Sequence, residues 1–204
     1  MNLENEYVRG PFASLINNMV GHSWVYNANV WFPGRDKKAL KEDSPQANKG
    51  YEAGRPDGFV FANGKVKCVE CKADMGSFCF DGVSPAQINW YQKVCLKTHT
   101  PYFVMVGIYQ DFVKTGRNFE IDKWCLFLVP MTAFLILRDN ARQLYDLGTL
   151  PLIMDNWKIN SAGAKKGLSD GVTILATWLE YKLQRVGSAG QVYRIPEDHV
   201  WWRV

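Results

Sequence analysis

Asp57, Glu70 and Lys72 are the residues of this chain whose types and spacing suit joint chemistry. They fall in the stretch RPDGFVFANGKVKCVECK, residues 55–72. A hard divalent cation such as Mg²⁺ is held by one or two carboxylates together with water and phosphate oxygens. An ammonium beside such a centre can stabilise negative charge that develops on a reacting group. Two acids and one amine therefore suggest either a divalent-cation site, provided the fold brings them together, or the scattered charges of a solvated surface hairpin.

The element that must do so is announced by Asn63-Gly64. A type I′ turn needs positive φ at both central residues, which makes Asn-Gly the strongest short hairpin signal. The flanks, Gly58 to Ala62 and Lys65 to Cys71, are rich in Phe and Val and suit strands. With Asn63 and Gly64 as the loop, Ala62 pairs with Lys65 and, counting outward, Asp57 faces Glu70. Directly opposed Cβ atoms lie roughly 5 Å apart, so the two carboxylates repel unless something positive sits between them. Side chains alternate along a strand, so Lys72 shares the Glu70 face. The same alternation sends Cys68 and Cys71 to opposite faces, so this C-x-x-C cannot close on one zinc ion.

Ser84-Pro85-Ala86-Gln87 reads as a helix start running to about Lys97. Ser84 is the N-cap, Pro85 is N1 and Gln87 at N3 completes a capping box. Alternatively Gln87 points into the cleft near Lys72 and orients water or phosphate. The two roles are expected to exclude each other.

These residues resemble a family. Pro56-Asp57 followed by Glu70-Cys71-Lys72 reads as the PD-(D/E)XK nuclease motif, and Ser84-x-x-Gln87 with Trp90 resembles the helix start of relatives in that superfamily. Arg55-Pro56-Asp57 with the later Gln87 is similar to the VRR-NUC branch. Ser77 to Phe80, and Pro101 to Val104 after the glutamine, are more similar to Holliday-junction resolvases of the RecU type. The resemblance covers residues 50–130. It implies an α/β restriction-endonuclease-like three-layer sandwich with a mixed central sheet. It further implies an Mg²⁺- or Mn²⁺-dependent DNA endonuclease, with Asp57, Glu70 and the carbonyl of Cys71 as ligands, Lys72 and Gln87 as catalytic partners, and a homodimer where two strands are cut. It favours the functional role for Gln87. In many such nucleases the first helix adds an acid, whereas the centre of the first helix here holds Ala13 and Ser14. Glu4 and Glu6 lie just upstream and could substitute, although acids near a helix N-terminus are favourable in their own right.

The remaining chain gives a frame for this site. A first helix is expected over residues 8–20, with Pro11 early and Phe12, Leu15, Ile16 and Met19 as its apolar stripe. A strand follows from Ser23 to Phe32. The polar stretch Arg35 to Arg55 carries Arg35, Lys37, Lys38, Lys41 and Arg55, which suit a phosphate backbone; its acids also suit a solvated insertion. Apolar strands are expected at Tyr102–Tyr109 and Trp124–Val129. A helix from Thr132 to about Tyr145 comes next, then a weak strand near Leu152–Trp157 and a helix from Gly171 to Arg185. Lys165 and Lys166 are a second candidate phosphate contact. Trp201 and Trp202 either stack on bases or anchor the tail or a dimer interface.

Composition agrees with one domain. The 204 residues are 47% hydrophobic with a net charge of +4, which permits a polyanionic partner without demanding one. We read residues 1–204 as a single nuclease domain, its motif core at 50–130 and a helical extension at 131–204. An acidic, polar beginning, five cysteines without a small-scaffold pattern and no long apolar run suggest a reducing, intracellular setting, or the host cytoplasm for a phage protein. No phosphate loop, H-E-x-x-H or nucleophile–histidine pattern competes. The runner-up functions are a general repair or phage-type nuclease, and a non-catalytic DNA-binding module on the same fold.

Overall fold

The Asn63-Gly64 turn forms as its sequence requires, with φ of 50° and 78° at the two residues. It joins β2 (Gly58–Ala62) to β3 (Lys65–Met75) in the expected register, from Ala62 opposite Lys65 to Gly58 opposite Val69. The computed structural model describes residues 4–26, 54–75, 80–109, 124–146, 154–155, 158–159, 178–186 and 192–204.

The hairpin is the middle of a five-stranded mixed sheet of order β1-β2-β3-β4-β5, with β1 at His22–Tyr26, β4 at Tyr102–Tyr109 and β5 at Trp124–Pro130. Neighbours are antiparallel except β3 and β4, which run parallel. A parallel pair needs a crossover. Here the crossover carries α2 (Pro85–Trp90), a wider π turn (Tyr91–Cys95) and α3 (Leu96–Thr98). The chain is thus mixed α/β, and the helix expected from Pro85 ends within a residue of its sequence boundary.

Side-chain alternation splits the core in two. Cys68, Tyr102, Val104, Val106, Phe127 and Val129 pack with Tyr91, Cys95, Phe134 and Trp178. Val69, Cys71, Phe103, Met105 and Leu128 pack with Phe12, Ile16, Leu183 and Trp201. Cys68 and Cys71 do lie in different clusters. Cys68 instead meets Cys95, Sγ to Sγ 3.8 Å, with both thiols buried.

The first helix begins earlier than expected. A π turn at Asn5–Arg9 leads into α1 at Gly10–Asn17. Pro11 gives the reason: a proline inside a helix removes one bond and crowds the carbonyl four residues back, and a wider turn before it relieves both.

α4 (Met131–Asp146) follows β5, close to the expected helix. Beyond it the described chain departs from the expected helical extension. It forms two small hairpins, β6 (Met154–Asp155) with β7 (Lys158–Ile159) and β8 (Gln184–Val186) with β9 (Val192–Arg194). The helix expected to reach Arg185 is helical over 178–180 and then extends, because Leu183 N–H donates to Leu126 and Leu128 N–H donates to Tyr181, drawing the chain alongside β5. Residues 171–177 lie outside the described residues.

The tail closes the second cluster. Trp201 is wholly buried, 6.1 Å from the Phe12 ring and 4.9 Å from that of Phe103. A base-stacking role for Trp201 is thereby excluded, since a ring already enclosed has no face to offer. Lys67, also buried, donates its ammonium to the carbonyls of Trp201 and Val204. No helix among the described residues is long and apolar enough to cross a membrane.

Candidate active site

The site forms where β2 leaves β3. Pairing between them ends at Gly58 and Val69, while β3 continues to Met75. At this fork the Asp57 carboxylate takes over where main-chain pairing stops, with Oδ2 accepting from Cys71 N–H at 2.8 Å. Glu70, one residue earlier on β3, is 1% exposed. Its Oε1 accepts from Lys72 Nζ at 2.6 Å and from the side-chain amide of Gln87. Its Oε2 is buried with no hydrogen-bond partner among the described residues.

Gln87 completes the capping box and also reaches into the cleft beside Lys72, two placements that the sequence sets against each other. Its Oε1 accepts from Ser84 N–H at 2.8 Å, and Ser84 Oγ accepts from Gln87 N–H at 3.3 Å, so the capping box is complete. Its Nε2 donates to Glu70. An amide has an acceptor end and a donor end, and the two partners lie on opposite sides of it. The expected exclusion is therefore corrected. Gly54 sets the distance: at φ 101° it lies so close to α2 that a Cβ would meet the Ala86 carbonyl oxygen at 2.2 Å. That contact presses the segment leading to Asp57 against the turn bearing Gln87.

The first helix contributes two residues. Arg9 Nη2 donates to Glu4 Oε1 at 2.8 Å and to Asp57 Oδ1 at 2.6 Å. Glu4 thus does more than favour a helix N-terminus, whereas Glu6 is exposed. Ser14 is exposed as well, so the acid of this helix sits upstream of its centre. Arg9 was not legible as a site residue. No local pattern marks it, and its partner Asp57 lies 48 positions away.

Electrostatics follow from this crowding. Burial first, then the charge of Asp57, pushes the Glu70 carboxyl up to about 7 against the pull of Lys72. Glu4 is raised for the same two reasons. Burial alone would lower Lys72, but Glu70, Glu4 and Asp57 outweigh it and its ammonium is held above its ordinary value. The Cys71 thiol is buried in the second cluster and raised by that burial, so this residue reaches the site through its main chain.

Asp57, Glu70, Lys72 and Gln87 are thus brought together. Arg55 is exposed just before Asp57. Arg35, Lys37, Lys38, Lys41, Lys165 and Lys166 lie outside the described residues. Carboxylate oxygens are the donor type a hard divalent cation takes, and Glu70 Oε2 is buried with no hydrogen-bond partner among the described residues, where no three acidic, histidine or cysteine side chains are placed to hold one ion together. Comparison with known proteins gives no match, whether to a family model, to a curated protein or to a solved structure.

Proposed function

We propose that this chain is a metal-dependent DNA endonuclease of the PD-(D/E)XK kind, with a structure-specific Holliday-junction resolvase as the reading its motifs favour. The observation that carries it is the fork of β2 and β3, where Asp57, Glu70, Lys72 and Gln87 meet with Glu4 beside them. The five-stranded mixed sheet with an apolar cluster on each face is then a restriction-endonuclease-like three-layer sandwich.

Asp57, Glu70 and Glu4 would hold Mg²⁺ or Mn²⁺, with the Cys71 carbonyl as a further ligand by resemblance. Such a cation supplies a bound water of lowered pKa and neutralises charge at the scissile phosphate. Lys72 keeps its proton beside Glu70, which makes it a poor base and a good electrostatic partner for negative charge building on the phosphate. Gln87 fixes one oxygen of Glu70 and leaves the other for the cation. One site of this kind cuts one strand, so paired cuts call for a homodimer.

A second reading, a DNA-binding module without catalysis, draws on the acids already being paired with Arg9 and Lys72 and on Ala13 and Ser14 at the centre of the first helix. Cleavage of a four-way junction, a duplex and a single strand, each with Mg²⁺ and with EDTA, separates the readings. Paired symmetric cuts in the junction alone, lost in EDTA and in Lys72→Ala, are the expected result. Cleavage of every substrate makes this a general nuclease. Tight binding without cleavage establishes the module.

A further inference from the structure

A guanidinium lies inside the acidic centre. Arg9 Nη2 touches both Glu4 and Asp57, at 2.8 and 2.6 Å. Its Nη1 is held separately, by Tyr26 Oη at 2.9 Å and by Asn5 Oδ1, and the group lies over the Tyr26 ring, 5.0 Å from its centroid. Its Nε is buried with no acceptor among the described residues. Among the described residues, no three acidic, histidine or cysteine side chains are placed to hold an ion together.

We propose that Arg9 is the resident cation of this centre. Arg9 neutralises Glu4 and Asp57, and it would give up those oxygens to a divalent cation and turn towards the substrate phosphate. The proposal rests on the nuclease reading above and adds the residue that couples metal to substrate. Charge supports it. With every group ionised, the carboxylates Glu4, Asp57 and Glu70 against the cations Arg9 and Lys72 leave one net negative charge. A divalent cation turns this into one net positive charge, which suits an incoming phosphodiester. Geometry supports it too. The Tyr26 and Asn5 contacts are made through Nη1, separately from the acids on Nη2, and Tyr26 is half exposed, so the guanidinium has a second anchor at the edge of the site.

The test measures Mn²⁺ binding without DNA, through the paramagnetic resonance signal of the free aqueous ion, for wild type, Arg9→Met and Arg9→Lys. Arg9→Met should bind Mn²⁺ about tenfold tighter or more, because no charge-assisted hydrogen bonds need breaking first. Arg9→Lys, which keeps the charge but loses the fork, should also bind more tightly than wild type, and it decides the matter if Arg9→Met fails to fold. At saturating Ca²⁺, Arg9→Met should bind a four-way junction roughly tenfold more weakly than wild type, with a smaller loss in EDTA, where the guanidinium stays on the acids. Unchanged or weaker Mn²⁺ affinity in folded variants, or unchanged junction affinity in Ca²⁺, overturns the proposal and leaves the nuclease reading standing. Absence of Mn²⁺ binding in all three proteins overturns both.

Discussion

Gln87 shows how one side chain can serve two partners at once. It caps α2 through its oxygen and steers Glu70 through its nitrogen. Gln87→Ala should cost about 1–2 kcal/mol in a denaturant melt, from the broken cap and the stranded carboxylate. Gln87→Glu keeps an acceptor for Ser84 and should recover most of that stability, yet it sets a second acid against Glu70. The pH at which Mn²⁺ binding is half lost should then rise. Glu70 itself makes two opposite pH predictions. Its value in the fold, about 7, exceeds its ordinary 4.5, so the folded chain binds more protons than the unfolded one between them. The metal-free fold therefore loses stability from Glu70 as pH rises through that window. A cation needs the carboxylate, so Mn²⁺ affinity should rise up to about 7 and fall roughly tenfold per unit below it. Melts and Mn²⁺ titrations across this range check both, and Glu70→Gln should flatten both curves.

At the scale of elements, the site depends on two strands parting and one helix turn leaning in. β3 runs on after β2 has turned away, which leaves Cys71 N–H for Asp57 to cap. The lean of α2 is set at Gly54, where any side chain strikes the Ala86 carbonyl. Gly54→Ala adds a positive-φ penalty of about 1–3 kcal/mol to that clash. It should lower the melting temperature and weaken Mn²⁺ binding together, whereas Gly64→Ala, with open space around its Cβ, should lower stability alone. This contrast separates a glycine needed for close approach from one needed only for a turn.

At the scale of the whole molecule, metal and fold should be coupled, because carboxylates from the start of the first helix, from the residue before β2 and from β3 lie near one another. At a concentration one hundred times the dissociation constant, Mg²⁺ or Mn²⁺ should stabilise the chain by about 2.7 kcal/mol, a rise of several degrees in a thermal melt, and Asp57→Ala should abolish that rise. A rise that survives in the variant places the ion elsewhere. The hairpin, its register and the alternation that parts Cys68 from Cys71 followed from the sequence alone, because a two-residue turn with positive φ at Asn63 and Gly64 leaves one pairing open. So did the helix at Ser84 and the apolar strands β4 and β5, whose signals are local. Tertiary structure alone decided the rest. The descent of Trp201 into the core, the extension after residue 180, the double use of Gln87 and the presence of Glu4 and Arg9 all arise from contacts between segments distant in sequence. Such contacts leave no periodicity or spacing to read, because each is fixed by what the sheet has already brought near.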